Sequence, residues 1–222
     1  HFERALAGFI ATSDLVGQAK TLRHKTRALL VSSSTSYGDV LDLTQHEETL
    51  ARFGDTDPVA RGLLLEAMSQ VHFTARAPSK AEALARAALE LGERAGDDRL
   101  RHHACFSLGL ALLQLGRLTE AFQSFESSEE FGARSGDAWG RIAPLQRMAL
   151  LHVMFGQLDS AQALAAEGDQ LARQVGRYAE ASFALANSAT VALARGRFEE
   201  AEKHAIEAIA MAKRAQYPWG AQ

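Results

Sequence analysis

Several features that would assign a protein to a class are scarce in this sequence. Its 222 residues include one cysteine, Cys105, and four prolines, and aromatic residues make up only 7%. A single cysteine excludes an internal disulfide framework and is typical of a reducing compartment, so we expect a cytoplasmic protein. No run of 18 or more apolar residues is present, and we expect neither a transmembrane helix nor a signal peptide.

Charge of one sign and catalytic motifs are also lacking. The formal net charge is -3 and no long basic block occurs, which argues against direct binding to nucleic acid. The sequence has no P-loop, no GxGxxG, no GxSxG and no HExxH motif. We therefore expect no enzymatic activity, no catalytic residues and no cofactor. What remains is a composition of 47% hydrophobic residues, rich in alanine and leucine, which favours helix.

An internal repeat organises most of the chain. Gly116-Arg117-Leu118-Thr119-Glu120-Ala121 recurs as Gly156-Gln157-Leu158-Asp159-Ser160-Ala161 and as Gly196-Arg197-Phe198-Glu199-Glu200-Ala201, each time 40 residues later. A second glycine series, Gly96, Gly136 and Gly176, has the same spacing. A fixed period of this length is typical of solenoid proteins, in which each repeat packs mainly on its neighbours.

Each repeat divides into two helical segments. Apolar residues follow helical spacing on both sides of Gly116, and glycine suits the positive φ that closes a helix. Asp57-Pro58 combines an N-cap residue with proline at the first helical position. The turns predicted between these helices are short, and helices joined by short turns pack as antiparallel neighbours. The sequence therefore predicts an all-α fold, a right-handed α-solenoid of antiparallel helix pairs.

When the repeats are aligned at their 40-residue offset, positions of equal rank form columns, and these columns predict which residues form the core. Small residues at fixed positions let helix backbones approach closely, and a large apolar column lies between them. The small columns are Ser69, Gly109, Ala149 and Ala189; Ala81, Ala121, Ala161 and Ala201; and Ala88, Ser128, Gly168 and Ala208. The large column is Leu65, Cys105, Leu145 and Leu185.

We expect residues 1–222 to form one repeat domain with truncated ends. Ser32–Gly38 is predicted to be a loosened turn between helices, and Trp219-Gly220 copies Trp139-Gly140 two periods later. Such ends are typical of a fragment of a longer protein. The predicted divisions are 1–14 (second helix of a truncated repeat), 15–54 (degenerate repeat), 57–96, 97–136, 137–176, 177–216 (repeats) and 217–222 (start of a further repeat).

The columns resemble the tetratricopeptide (TPR) consensus. Leu108-Gly109, Leu112, Ala121 and Phe125 stand at its spacings, although the usual unit has 34 residues. The 40-residue unit is similar to the longer-helix variety of bacterial signalling proteins and transcriptional regulators. The aromatic position of Phe125 is alanine in neighbouring units, which departs from the consensus.

The resemblance implies a binding surface on the concave face, which the first helix of each pair lines. The corresponding positions mix amide, charged and aromatic side chains suited to a peptide or a partner helix. They are Glu66, Gln70, Phe73, His103, Phe106, Ser107, Leu110, Gln114, Gln146, Arg147, Leu150, Met154, Phe183, Asn187 and Thr190. The amide of Asn187 is suited to pairing with a peptide backbone. The alternative is that these are ordinary solvated or half-buried helix positions.

A metal site is not expected. His102 and Cys105 share a helix face while His103 points away, and no second cysteine or HxxxH pair supplies further ligands. Cys105 is instead predicted to be a core residue.

The resemblance implies a protein–protein interaction and regulatory module of a larger, bacterial signalling or transcriptional-regulatory protein. Its partner is expected to be a protein, a peptide or a flanking domain of the same chain. Two alternatives stay open: a sensor of a small molecule or signalling peptide, and a scaffold that forms homodimers through exposed repeat ends.

Overall fold

The computed structural model describes residues 1–31, 41–54, 56–138 and 140–216. Within these ranges the chain forms eleven helices and no strand. The polar stretch Ser32–Gly38, both tryptophans and residues 217–222 lie outside the described residues. The helices are α1 Phe2–Ala11, α2 Leu15–Val31, α3 Thr44–Phe53, α4 Pro58–Thr74, α5 Pro78–Ala95, α6 Asp98–Gln114, α7 Leu118–Arg134, α8 Ile142–Met154, α9 Leu158–Gln174, α10 Tyr178–Ala194 and α11 Phe198–Gln216.

Glycine closes the helices as predicted. Six glycines of the two predicted series have φ between 66° and 74°, which side chains rarely adopt. The N-cap prediction at Asp57 is also confirmed, because its carboxylate accepts a hydrogen bond from Ala60 N at 2.9 Å and Pro58 opens α4. Asp97 caps α6 in the same way, with Leu100 N as the donor at 2.6 Å.

A matched pair of glycines tests this backbone argument. A Cβ at Gly116 or at Gly8 would meet no atom within 4 Å, but only Gly116 has a positive φ, of 74°. Gly116→Ala is expected to lower the free energy of unfolding by about 1 kcal/mol. Gly8→Ala, within α1, is expected to raise it by about 0.5–1 kcal/mol. Urea unfolding followed by circular dichroism measures both free energies of unfolding. Shifts of the same sign would contradict the conclusion that the positive φ at Gly116 requires glycine.

The chain divides into two compact units, His1–Ser124 (unit 1) and Phe125–Gln222 (unit 2). The core of unit 1 is formed where α1 to α4 pack together, around Leu6, Leu22, Phe53 and Leu64. A second cluster around Leu65, Ala88, Leu91, Leu100 and Ala104 joins α4, α5 and α6. In unit 2 a cluster of Ile142, Ala172 and Ala181 joins α8, α9 and α10.

Except for Ala208, which is half-buried, the residues of the predicted columns are buried. Leu65, Cys105, Leu145 and Leu185 are at most 6% exposed, which confirms that Cys105 is a core residue. The alanine column that ends at Ala201 is at most 3% exposed. Small side chains thus pack in the interior of the helix pairs.

The predicted degenerate repeat has an unusually polar interior. α2 buries Gln18, Arg23 and Thr26, and α3 buries His46. Thr26 Oγ1 lies 2.8 Å from His46 Nε2, and Gln18 Nε2 donates to the carbonyl oxygen of Phe9 at 3.1 Å. Burial is the main cause that lowers the pKa of His46 to about 4, so its imidazole is neutral at physiological pH.

No helix in the described part of the chain is both long and apolar enough to cross a bilayer.

Candidate functional site

The structure places the predicted face residues of unit 1 at different depths. Glu66, Ser107 and Leu110 are 0%, 1% and 7% exposed, so they cannot offer contact area to a partner in this conformation. This corrects the expectation that Glu66 and Leu110 lie on an open surface. The remaining predicted positions of unit 1 are half-buried: Gln70, Phe73, His103, Phe106 and Gln114.

Glu66 is held by a buried polar network across three first helices. Arg23 Nε on α2 donates to Glu66 Oε2 at 3.3 Å, and Ser107 Oγ on α6 donates to Glu66 Oε1 at 3.1 Å. Gln70 Nε2 also donates to Glu66 Oε1. Arg23 was not among the site residues predicted from the sequence. The signal that could have indicated it is Glu66, because a carboxylate on an otherwise uncharged helix face needs a cationic partner.

The predicted amides make contacts between helices. Gln114 Nε2 donates to the carbonyl oxygen of Phe73, and Asn187 Nδ2 donates to that of Gln146, both at 3.0 Å. Gln146 Nε2 donates to the carbonyl oxygen of Glu180 at 2.7 Å. In each case a side-chain amide that was expected to bind a peptide donates instead to a backbone carbonyl oxygen of a neighbouring first helix.

In unit 2 an exposed stripe runs along α10. Ala179, Phe183, Ala186, Thr190 and Leu193 follow one another at spacings of three or four residues, so they share one face of the helix. The Phe183 and Leu193 side chains are 63% and 55% exposed. Two predicted residues on α8 are exposed as well, Arg147 and, at 56%, Met154.

The stripe on α10 corresponds to positions that are covered one repeat earlier. Their counterparts on α8, which packs on α10, are all half-buried: Ala143, Gln146, Leu150 and Val153. On α11, Ala205 is exposed and Ile209 is 56% exposed, whereas Ala165, the counterpart of Ala205, is fully buried. We call Phe183, Ala186, Thr190, Leu193, Ala205 and Ile209 the end surface.

The histidine and cysteine residues do not form a metal centre. Within the described ranges, no three His, Cys, Asp or Glu side chains are grouped so that they could hold a metal ion. Burial raises the pKa of the Cys105 thiol to about 12, so it stays protonated and unreactive at neutral pH. The rings of His102 and His103 lie 4.8 Å apart between centroids.

Comparison with solved structures decides the fold. BtubC (BKLC) from P. vanneervenii superposes with a TM-score of 0.72 at 16% identity, covering 100% of this chain and 94% of that one. The nearly identical TPR-like repeats of a putative kinesin light chain from Podosopora anserina give 0.63 at 15% identity, covering 94% and 98%. A glutamine-to-methionine variant of those repeats gives 0.65 at 15% identity, covering 92% and 97%. The chain has the TPR-like solenoid fold.

The predicted all-α fold and the resemblance to tetratricopeptide repeats are thereby confirmed. No protein-family model matches the sequence, and no curated protein matches it. The fold of this TPR-like array is therefore assigned from structural similarity at low sequence identity. Its function has to be argued from the array's own surfaces.

Proposed function

We propose that this TPR-like array is a protein–protein interaction module that binds an α-helix, supplied by a partner protein or by a flanking segment of the same chain, on its end surface. TPR-like folds generally mediate protein–protein interaction. The observation that supports the proposal here is the exposed apolar stripe on α10, with Phe183 and Leu193 more than half exposed. Large exposed apolar side chains arranged on one surface are typical of a binding site.

The repeat itself indicates that the occupant is a helix. Leu63, the counterpart of Phe183 three repeats earlier, packs in the cluster that contains Leu100 of the next first helix. Gln146 is the counterpart of Ala186. Its backbone carbonyl oxygen accepts a hydrogen bond from the Asn187 side chain, and its own side chain donates to the carbonyl oxygen of Glu180, both on the next first helix. The end surface thus repeats positions that receive a first helix elsewhere in the chain. A partner helix with an apolar stripe would bury the same face.

The wider role follows the resemblance to the longer-helix bacterial arrays. We place the module in a signalling or transcriptional-regulatory protein, where binding of the partner helix controls a neighbouring output domain. Half-buried or exposed first-helix residues within each unit are proposed to add further contacts. They are Gln70, Phe73, His103, Phe106 and Gln114 in unit 1 and Gln146, Arg147, Met154 and Asn187 in unit 2.

A peptide with the sequence of α10, Tyr178–Ala194, is a suitable probe because α10 itself occupies the corresponding place on α8. Labelled with a fluorophore and given a lysine tail for solubility, it is expected to bind the array saturably in an anisotropy titration. Phe183→Asp is expected to weaken binding about tenfold or more, since a carboxylate would be desolvated against the peptide.

The control variant is Phe2→Asp, which places the same charge at a partly exposed phenylalanine of α1 and should leave binding unchanged. A scrambled peptide of the same composition should not saturate. Equal loss in both variants, or no saturable binding, would contradict the proposal. Sedimentation velocity over a range of protein concentrations tests whether a second copy of the chain occupies the end surface instead. A dimer that Phe183→Asp abolishes would mean that it does.

A further inference from the structure

The end surface has a charged residue at each end of its α11 side. Glu202 lies one helical turn before, and Lys213 one turn after, the two residues that α11 contributes. Both are exposed, and neither forms an ion pair with a residue that the structure describes. α10 and α11 are antiparallel, and the Arg214 guanidinium lies 4.2 Å from the centroid of the Tyr178 ring, which joins the end of α11 to the start of α10. Glu202 therefore lies toward the C-terminal end of α10, and Lys213 toward its N-terminal end.

The surface near the C-terminal end of α10 is acidic because the arginines there already have partners: Arg195 binds Asp159, and Arg197 binds Glu200. Glu199 is exposed like Glu202, and it too has no ion pair among the described residues. Lys203, an exposed cation next in sequence, lies about 100° around α11 from Glu202. Two carboxylates are thus available to a cation that approaches this end.

An earlier repeat shows what a carboxylate at the rank of Glu202 binds. Its counterpart three repeats earlier is Glu82 on α5, whose Oε1 accepts a hydrogen bond from Arg117 Nη1 at 2.8 Å. Arg117 lies in the turn that follows α6, the next first helix. Gln114 near the end of α6 donates to the carbonyl oxygen of Phe73 near the end of α4, so these first helices are parallel. The cation thus comes from the C-terminal end of a helix that lies parallel to its neighbour.

Glu199 has a counterpart that is paired in the same way. Asp159, one repeat earlier, accepts a hydrogen bond from Arg195, which directly follows α10. Again the cation stands at the C-terminal end of the next first helix. Both exposed carboxylates of α11 therefore occupy ranks that receive an arginine from such a helix end elsewhere in the chain.

Lys213, at the other end, also has a paired counterpart. Arg173, one repeat earlier, donates from Nη2 to Glu207 Oε1 on the next second helix at 2.8 Å. A cation at this rank thus attracts a carboxylate from the element that packs next. A helix that lies parallel to α10 brings its N-terminal end to this place, and the helix dipole favours acidic residues there.

Resting on the proposed function, we propose that the helix bound on the end surface lies parallel to α10, with a basic C-terminal end and an acidic N-terminal end. Its basic residues pair with Glu199 and Glu202, and its acidic end faces Lys213. Apolar contacts supply most of the binding, because exposed ion pairs are weak. The charges select the helix and fix its direction, since the opposite direction would bring like charges together at both ends.

Two labelled peptides with the sequence of Tyr178–Ala194 test the direction. One carries two added arginines after Ala194 and the other carries them before Tyr178, in place of the lysine tail, so that composition and apolar stripe are the same. In anisotropy titrations of the full chain at low ionic strength, the peptide with C-terminal arginines is expected to bind about fivefold more tightly. High salt is expected to reduce the difference, because it screens exposed charges.

A protein variant removes the effect of peptide helicity, which N-terminal cations lower in the second peptide. Glu199→Lys combined with Glu202→Lys is expected to abolish or reverse the preference between the two peptides. The matched control, Glu90→Lys combined with Glu126→Lys, makes the same change of net charge at exposed carboxylates of α5 and α7. It should leave the preference unchanged.

Two outcomes would overturn the proposal in different ways. If both peptides bind saturably but the ratio of their affinities is the same in the wild-type chain and in the variant with lysine at 199 and 202, the charges do not set the direction, and the proposed function still stands. If neither peptide binds saturably, the end surface does not bind a helix, and the proposed function fails together with the direction.

Discussion

Replacing Arg23 with methionine is expected to lower the free energy of unfolding of unit 1 by about 3–5 kcal/mol. Arg23 Nε and Glu66 Oε2 are 3.3 Å apart, and the side chains are 6% and 0% exposed. Without the guanidinium, the Glu66 carboxylate would stay buried with only the uncharged donors Gln70 and Ser107. Urea unfolding monitored by circular dichroism gives the loss, and hydrogen exchange resolved by helix locates it in α2, α4 and α6.

The control for this variant is the double substitution Arg23→Met with Glu66→Met. Because both charges are then absent, no ionised group is left buried, and the double variant is expected to recover most of the stability. A double variant as unstable as Arg23→Met alone would show that packing around Arg23, rather than the unpaired charge, causes the loss.

Phe53→Ala is expected to lower the free energy of unfolding by about 3–5 kcal/mol as well. Phe53 ends α3, is 1% exposed and packs in the cluster with Leu6, Leu22 and Leu64. Truncation leaves a cavity between α1, α2 and α4, because their backbones cannot close over it without breaking other contacts. The measurement is again urea unfolding, with hydrogen exchange in α1 to α4 as the local readout.

The matched control is Phe198→Ala, since Phe198 is 70% exposed at the start of α11. Its truncation is expected to change the free energy of unfolding by less than about 0.5 kcal/mol. Equal losses at Phe53 and Phe198 would mean that the predicted degenerate repeat does not take part in the core of unit 1.

Periodicity made the fold predictable because a solenoid is built from local contacts. Glycines 40 residues apart set the helix ends, and each adopts a positive φ. The large column containing Leu65 and Cys105 is buried as predicted. Such features depend on the sequence within one repeat and its neighbour, so a repeated pattern specifies them many times over.

The candidate site was less predictable because periodicity assigns a side chain to a helix face but not to a depth. Glu66 and Phe183 occupy the first-helix face, yet Glu66 is fully buried and Phe183 is 63% exposed. The difference lies in what packs on that face. α6 covers this part of α4, whereas the corresponding face of α10 is exposed.

The sequence by itself determined that the chain is an array of helix pairs with small residues in buried columns, because period, composition and helix-ending glycines are all local properties. Only the tertiary structure decided that α2 supplies Arg23 to the Glu66 carboxylate, 43 residues away along the chain. It also decided that the stripe containing Phe183 and Leu193 is exposed. Both depend on which helix lies against which, since burial and ion pairing are properties of the packed neighbours rather than of the residue alone.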